Sequence, residues 1–281
     1  MKTLQEALES FRDNGGAAQS LRKHLAAAEI IVWDDMTRAK LYDFREEVTG
    51  AVAANTARTI FLNAKALINR YKDQIGCLPD DWANILSAKA EKVMRTYLTP
   101  DELKAFEAVP CRTNKERVVQ LECLLEAYTG ARVSDIMSFT YENVQGGFLT
   151  YVSKKTKVQA SIPVSKKILT WIEYVQANKR YEPSLRGRCD IIRRICERAH
   201  IDERVTVFER GETKKGPKWQ FITSHSFRIS FVTNLQQSGM DLVSISRLSG
   251  HKNVAMTERY CAPAKPRLTW AAQEFLGLNE K

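Results

Sequence analysis

The chain has 281 residues and a formal net charge of +10 at pH 7, from 43 Lys and Arg against 33 Asp and Glu. Hydrophobic residues make up 44% and charged residues 27%. That is an ordinary globular composition for one large or two modest domains, and it excludes disordered, collagen-like and membrane-spanning chains. Apolar runs such as Ile30-Ile31-Val32-Trp33 are far too short to cross a bilayer, and Met1 to Glu6 holds no apolar signal segment, so no membrane partner is expected and the cytoplasm is the expected compartment. The basic excess is uneven. Residues 1–97 carry 14 basic and 13 acidic side chains, whereas residues 98–281 carry 29 and 20. An excess so placed suits a polyanion such as nucleic acid, and equally a basic surface that aids solubility. The six cysteines, at 77, 111, 123, 189, 196 and 261, form no Cys-x-x-Cys pair and fit a reducing compartment. Cys189 and Cys196 are expected to be buried on a helix. No metal site and no cofactor are expected.

In chain order, Ala17 to Ile30 has apolar residues Leu21, Leu25 and Ala28 at helical spacing. Asp34-Asp35 is expected to cap a second helix, with Met36, Leu41, Phe44 and Val48 on one face and Gly50 at its end. Asn55-Thr56 opens a third, with Ile60, Phe61, Ala64, Leu67, Ile68 and Tyr71 inward, closed by Gly76 and Pro79. Residues 1–90 therefore read as a small helical domain, with 91–98 as a linker. Residues 99–281 form a second domain. It begins at Thr99 as an N-cap, with Pro100 as first helical residue and Glu102 three after the cap. Val118 to Tyr128 is a buried helix. Phe148 to Ser153 and Val158 to Val164 are antiparallel strands joined by the basic turn Lys154 to Lys157. Helices follow at 165–179 and 184–199, then a hairpin from Val205 to Ile222 around a turn at Gly211 to Lys218. The rest is helical, with a tail helix at 266–278 behind Pro263-Ala264-Lys265-Pro266. The fold class expected is mainly α with small antiparallel β-hairpins.

Four clusters share cations and hydrogen-bond donors. In Thr129-Gly130-Ala131-Arg132-Val133-Ser134-Asp135, an arginine stands at a helix start, where it can grip two phosphate oxygens or simply pair with Asp135 at the surface. In Lys154-Lys155-Thr156-Lys157, a lysine on a hairpin tip can donate a proton to a leaving oxygen, or the run is merely solvated. His225 and Arg228, at i and i+3, project to one side of a helix, while Phe227 and Phe231 face the core. Gly250-His251 suits a tight turn, and Tyr260 lies nine residues on, near the end of a short helix. A tyrosine hydroxyl, with a pKa of about 10, attacks phosphorus only where phosphate charge is neutralised and a proton acceptor is near.

The order Arg132, Lys155, His225-x-x-Arg228, Gly250-His251, Tyr260 resembles the tyrosine recombinase, or phage integrase, family across the whole second domain. The resemblance implies a catalytic domain preceded by a core-DNA-binding (SAM-like) helical domain, closed around double-stranded DNA. It implies that Tyr260 attacks the scissile phosphate to leave a 3′-phosphotyrosyl bond and a free 5′-hydroxyl. Arg132 and Arg228 would clamp the non-bridging oxygens, His251 would hydrogen-bond the same phosphate, Lys155 would protonate the leaving oxygen, and His225 would accept the tyrosine proton. Asp135 would support the arrangement. The bond energy stays in the protein–DNA link, so neither ATP nor metal is implied. Strand exchange would pass through a Holliday junction, for integration, excision or resolution of a mobile element. The partners implied are the recombination site, a homotetramer formed by exchange of the tail helix, and accessory DNA-bending or directionality factors, in a bacterial or phage-encoded, nucleoid-associated setting.

Candidate DNA contacts are Thr56, Arg58 and Lys65, taken as exposed on one helix, Lys154 and Lys157 on the hairpin, and Arg193 and Arg194, with Arg186, Arg188 and Arg198 beside them. Three departures stand out. Ser249 occupies a position where the family usually has an apolar residue, which is expected to alter packing rather than chemistry. Lys154, Lys155 and Lys157 share one turn, and Lys155 is chosen because Lys-Thr best fits the family's hairpin. The chain also starts almost at the helical unit, so the arm-binding domain of larger integrases is expected either to be lacking in this subgroup or to have been removed from this sequence. A DNA-binding protein that no longer cuts and a type IB topoisomerase are the competing classes.

Overall fold

The computed structural model describes residues 2–11, 16–91, 96–179, 184–209 and 212–261. The chain divides into two compact units. One comprises Met1–Val93 with Phe208–Glu212, the other Met94–Val207 with Thr213–Lys281. The expected tail helix at 266–278 and the glycine of the second hairpin, Gly211, lie outside the described residues.

The first unit is helical among its described residues before Val93. Helix α1 (Leu4–Glu9), absent from the sequence reading, starts with a reciprocal cap in which the Glu6 amide donates to Thr3 Oγ1 and the Thr3 amide to the Glu6 carboxylate. It is followed by α2 (Gly16–Ala27), α3 (Arg38–Ala51), α4 (Ala54–Tyr71) and the single turn α5 (Trp82–Ile85). Asp34-Asp35 does not cap α3. The Asp35 carboxylate accepts the amides of Ile31 and Val32, at 2.7 and 2.9 Å, and so closes a short 3-10 turn at Trp33–Asp35. Thr37 caps α3 instead. Gly50 lies inside α3 rather than ending it. Asn55 does not open α4 either; its side chain exchanges hydrogen bonds with the backbone of Glu91. Leu21, Met36, Leu41, Phe44, Val48, Phe61 and Leu67 form the core, with the Phe44 and Phe61 rings edge to face at 5.9 Å.

In the second unit, α6 (Pro100–Ala108) carries the expected Thr99–Glu102 capping box. Helix α7 (Asn114–Thr129) runs through the centre, buried even at Gln120, Glu122 and Glu126. Each of these has a partner, as burial requires. Gln120 Nε2 donates to the carbonyls of Phe106 and Val109, at 2.8 and 2.9 Å. Glu122 pairs with Arg188. Ser224 Oγ donates to Glu126 Oε1 at 2.7 Å.

After α8 (Val133–Ile136), strands β1 (Val144–Gln145), β2 (Phe148–Val152) and β3 (Gln159–Pro163) form an antiparallel sheet in that order. The register pairs Leu149 with Ile162 and Tyr151 with Ala160, so these four face the core while Phe148, Val152, Gln159 and Ser161 face outward. Strand β1 adds to the expected pair. Helices α9 (Lys166–Ala177) and α10 (Leu185–Arg198) match the expected ranges to within a few residues. The second hairpin differs: β4 (Arg204–Glu209) pairs with β5 (Glu212–Pro217), which occupies most of the expected turn, and Lys218–Phe221 is a 3-10 turn rather than the end of the hairpin. Helices α11 (Ser224–Gln237), α12 (Leu242–Leu248) and α13 (Val254–Tyr260) complete the described chain. Among the described residues no helix is long and apolar enough to cross a membrane.

On α10, Cys196 is buried, whereas Cys189 is only half-buried. Arg188 is not a free cation for phosphate: it is 1% exposed and held by Glu122. Arg198 is also engaged, 3.0 Å from Glu116.

Gly130 ends α7 in the left-handed region, with φ +63°, and a Cβ there would lie 2.4 Å from the Phe231 ring. Gly130→Ala should therefore destabilise the protein by about 1–3 kcal/mol, through overpacking and backbone strain together. The check is a lowered urea midpoint with an unchanged denaturant slope.

Candidate active site

The turn after Gly130 delivers Arg132 as the residue before α8. Its guanidinium donates from Nη1 to Ser153 Oγ at 2.9 Å. Ser153 Oγ in turn donates to Asp135 Oδ2 at 3.1 Å, and the Lys154 amide donates to Asp135 Oδ1 at 2.9 Å. Asp135 is 1% exposed and lies 3.9 Å from Arg132 Nη1. One buried carboxylate therefore ties the start of α8 to the end of β2. The pair is not the exposed surface contact that its spacing alone allows.

Arg228, on the second turn of α11, is fully buried. Nη1 donates to the Gly130 carbonyl, and Nη2 to the Ser249 carbonyl at 2.9 Å. Burial, and then the charge of Arg132, lower its pKa. Its Nε is buried without a hydrogen-bond partner among the described residues.

After α12 the chain reverses at Gly250, with φ +62°, and presents His251, itself 4% exposed. His251 Nδ1 lies 3.0 Å from Ser249 Oγ and 2.9 Å from Thr257 Oγ1. Its Nε2 is buried and unpartnered among the described residues. Burial, then the charges of Arg228, Arg132 and His225, push its pKa down to about 3, so the ring is neutral near pH 7.

Tyr260, the last residue of α13, is half-buried. Its ring lies 5.0 Å from the His225 ring and 4.7 Å from the His251 ring, with the Arg228 guanidinium carbon 5.5 Å from its centroid.

The structure thus brings Arg132, Asp135, His225, Arg228, His251 and Tyr260 to one place from three separated stretches of chain. Lys154, Lys155 and Lys157 are exposed on the turn between β2 and β3, which is fastened to the same place where Thr156 Oγ1 donates to the Gly250 carbonyl at 3.1 Å. Arg194 is exposed; Arg193 is half-buried, with Nη1 3.8 Å from Asp190. On α4 of the first unit Thr56 and Arg58 are exposed, but Lys65 is half-buried because it borders the inward stripe of Ala64 and Ile68.

Several polar residues at this site escape a sequence reading. Ser153 shares the inward parity of Leu149 and Tyr151, a two-residue alternation that could have found it. Ser249 is more than a packing change: its hydroxyl meets His251 and its carbonyl holds Arg228. Thr257 carries no signal, because its role depends on how α13 folds back. Tyr151 places its buried hydroxyl within this group, beside Arg228, and burial pushes its pKa up to about 12.

The family model described as the phage integrase family matches residues 96–267, more than half of the chain. The chain belongs to this family. It is a site-specific tyrosine recombinase, an enzyme that cleaves and rejoins DNA. It is 28% identical to tyrosine recombinase XerA of Pyrococcus furiosus over 207 residues, which cover 72% of this chain and 69% of that protein. It is 26% identical to tyrosine recombinase XerD of Haemophilus influenzae over 235 residues, covering 80% and 77%. In fold it is similar to lambda integrase (75–356) in a dimer bound to a COC′ core site, with a TM-score of 0.65 at 18% identity, covering 96% of this chain and all of that one. It is likewise similar to lambda integrase in a tetramer bound to a Holliday junction, with a TM-score of 0.60, covering 96% of this chain and 79% of that one.

Glu126, whose backbone and side chain join α7 to Gly130 and to the first residue of α11, gives this site a pH signature. Burial raises its pKa from 4.5 to about 8, against the lowering effects of the Ser224 hydroxyl, Arg188 and Arg228. The folded recombinase holds a proton that the unfolded chain releases, so this residue's contribution to stability falls as pH rises from about 4.5 to about 8. His251 acts oppositely, but only between about 3 and 6.5. Between pH 6.5 and 8 the urea midpoint should therefore fall for the native chain, and Glu126→Gln should flatten that fall.

Proposed function

We propose that Tyr260 is the nucleophile of this recombinase and that the groups around it form its phosphate site. The observation that carries the reading is the convergence on one tyrosine ring of two imidazoles and a buried guanidinium. The Tyr260 oxygen attacks phosphorus, and the bond from phosphorus to the 5′-oxygen breaks, leaving a 3′-phosphotyrosyl link. The tyrosine proton passes to His225, and Lys155 gives a proton to the departing 5′-oxygen. Rejoining reverses each transfer. Arg132 and Arg228 neutralise the non-bridging oxygens, where charge builds up in the transition state. Arg228 Nε and His251 Nε2 are buried and make no hydrogen bond of good geometry among the described residues, so a phosphate oxygen can be received there. Asp135 holds Arg132 and the base of the lysine turn and takes no part in bond making.

The reading extends to the rest of the molecule. Residues 1–90 serve as the core-DNA-binding domain, 91–98 as the linker and 99–281 as the catalytic domain. On α4, Thr56, Arg58 and the half-buried Lys65 meet the duplex, while Lys154, Lys157, Arg193 and Arg194 bind backbone phosphates. Four copies assemble on two duplexes through exchange of residues 266–278, whose Leu268, Trp270, Phe275 and Leu276 suit an apolar dock. The enzyme works in the cytoplasm, on nucleoid or phage DNA.

A nicked substrate, from which the cleaved strand end diffuses away, tests the chemistry. The native chain should become covalently linked to DNA through Tyr260, identified by peptide mapping. Tyr260→Phe should bind the same DNA and form no adduct. Binding without any adduct by the native chain would overturn the proposal. Lys155→Ala should cleave about a hundredfold more slowly, on the scale of general acid catalysis, and should recover on DNA whose 5′-bridging oxygen is sulfur, a leaving group that needs no proton. Lys154→Ala and Lys157→Ala should mainly weaken binding and reduce its salt dependence. Recovery on the sulfur substrate by one of these two instead would move the role to that lysine.

A further inference from the structure

The His251 ring is gripped at one nitrogen by two buried hydroxyls, an arrangement that selects a tautomer. Because the ring stays neutral until about pH 3, one nitrogen carries its proton and the other does not. Only a ring protonated at Nε2 can donate a hydrogen bond from that atom to a phosphate oxygen, since Nδ1 is turned to Ser249 and Thr257.

The hydroxyl protons decide between the two forms. Ser249 Oγ lies 2.8 Å from the Ile245 carbonyl, which can only accept, so its proton has a place there. Thr257 is fully buried, and among the described residues its hydroxyl has one partner, His251 Nδ1 at 2.9 Å. Were the ring proton on Nδ1, the Thr257 proton would be buried with no acceptor, at a cost of about 1–3 kcal/mol. With the Thr257 hydroxyl donating to Nδ1, every buried hydroxyl proton of the cluster is used and Nε2 becomes an N–H. We propose that Thr257 is a positioning residue of the recombinase, whose hydroxyl fixes His251 in the Nε2-protonated form so that it donates to the scissile phosphate. Ser249 is the competing acceptor. Without Thr257 its lone pair draws the ring proton to Nδ1 and leaves Nε2 a bare lone pair facing an anion. The effect on catalysis rests on the reading of His251 as a phosphate ligand; the tautomer itself does not.

Two measurements separate these claims. Nitrogen-15 spectra of the full chain, with His251 assigned among its four histidines by its loss in His251→Gln, should give a protonated shift at Nε2 and a pyridine-like shift at Nδ1. The reverse pattern would overturn the proposal whether or not DNA is cleaved. In single-turnover cleavage of the nicked substrate, Thr257→Ser should keep the native rate. Thr257→Val should lose about a hundredfold, the scale for removing one aimed donor, with unchanged DNA affinity. The double variant Thr257→Val with Ser249→Ala should cleave faster than Thr257→Val alone, since nothing then draws the proton to Nδ1. A purely structural role for Thr257 predicts instead that the second substitution makes matters worse, and that outcome, or a native rate for folded Thr257→Val, would overturn the proposal. Should Thr257→Val fail to fold, the native spectrum decides alone. Absence of any adduct from the native chain would count against the catalytic reading and leave the spectrum as the measure of the tautomer.

Discussion

The site depends on one buried guanidinium. Arg228 is fully enclosed, and its charge is tolerated because two backbone carbonyls, those of Gly130 and Ser249, accept its Nη protons. Each carbonyl belongs to a different stretch of chain, so the same two bonds that solvate the arginine fix the turn before Arg132 to α11 and to the turn before His251. A carbonyl is a dipole and not a full charge. It can hold the guanidinium without cancelling it, which leaves the positive potential available to an anion.

The surrounding polar groups follow the same logic of balanced burial. Asp135 satisfies Ser153 and the Lys154 amide while standing 3.9 Å from Arg132, close enough to orient it and too far to neutralise it by direct contact. Glu126, which would cancel Arg228 if ionised, is held protonated near neutral pH by its burial. Glu122 is committed to Arg188. Neither of these two glutamates beneath the site therefore cancels Arg228: one is paired with Arg188 and the other is discharged. His251 is neutral because burial and the cations around it lower its pKa, so it adds direction rather than charge.

Much of the fold was legible because its signals are local. The Thr99–Glu102 cap, the apolar stripes of α4 and α9, and the alternation of β2 and β3 each lie within a dozen residues and need no partner to be read. The misreadings share a cause. Asp35 looked like a helix cap because Asp often is one, but its carboxylate found nearer amides at Ile31 and Val32. Arg188 looked like one more cation in a basic helix, and only a glutamate from α7, distant in sequence, made it a buried ion pair.

The sequence by itself determined the class of molecule, the order of its elements and the residue types at the site: two arginines, two histidines, a lysine turn and a tyrosine, in an order specific to one family. It could do so because chemistry at a phosphate demands those types whatever surrounds them. Only the tertiary structure decided what each group touches. Asp135 became a buried brace, Lys65 drew back from the surface of its helix, and Ser249 and Thr257, at −2 and +6 from a histidine, met on one ring nitrogen. The physical reason is that a hydrogen bond is fixed by a few tenths of an ångström in space, and no periodicity along the chain carries that distance.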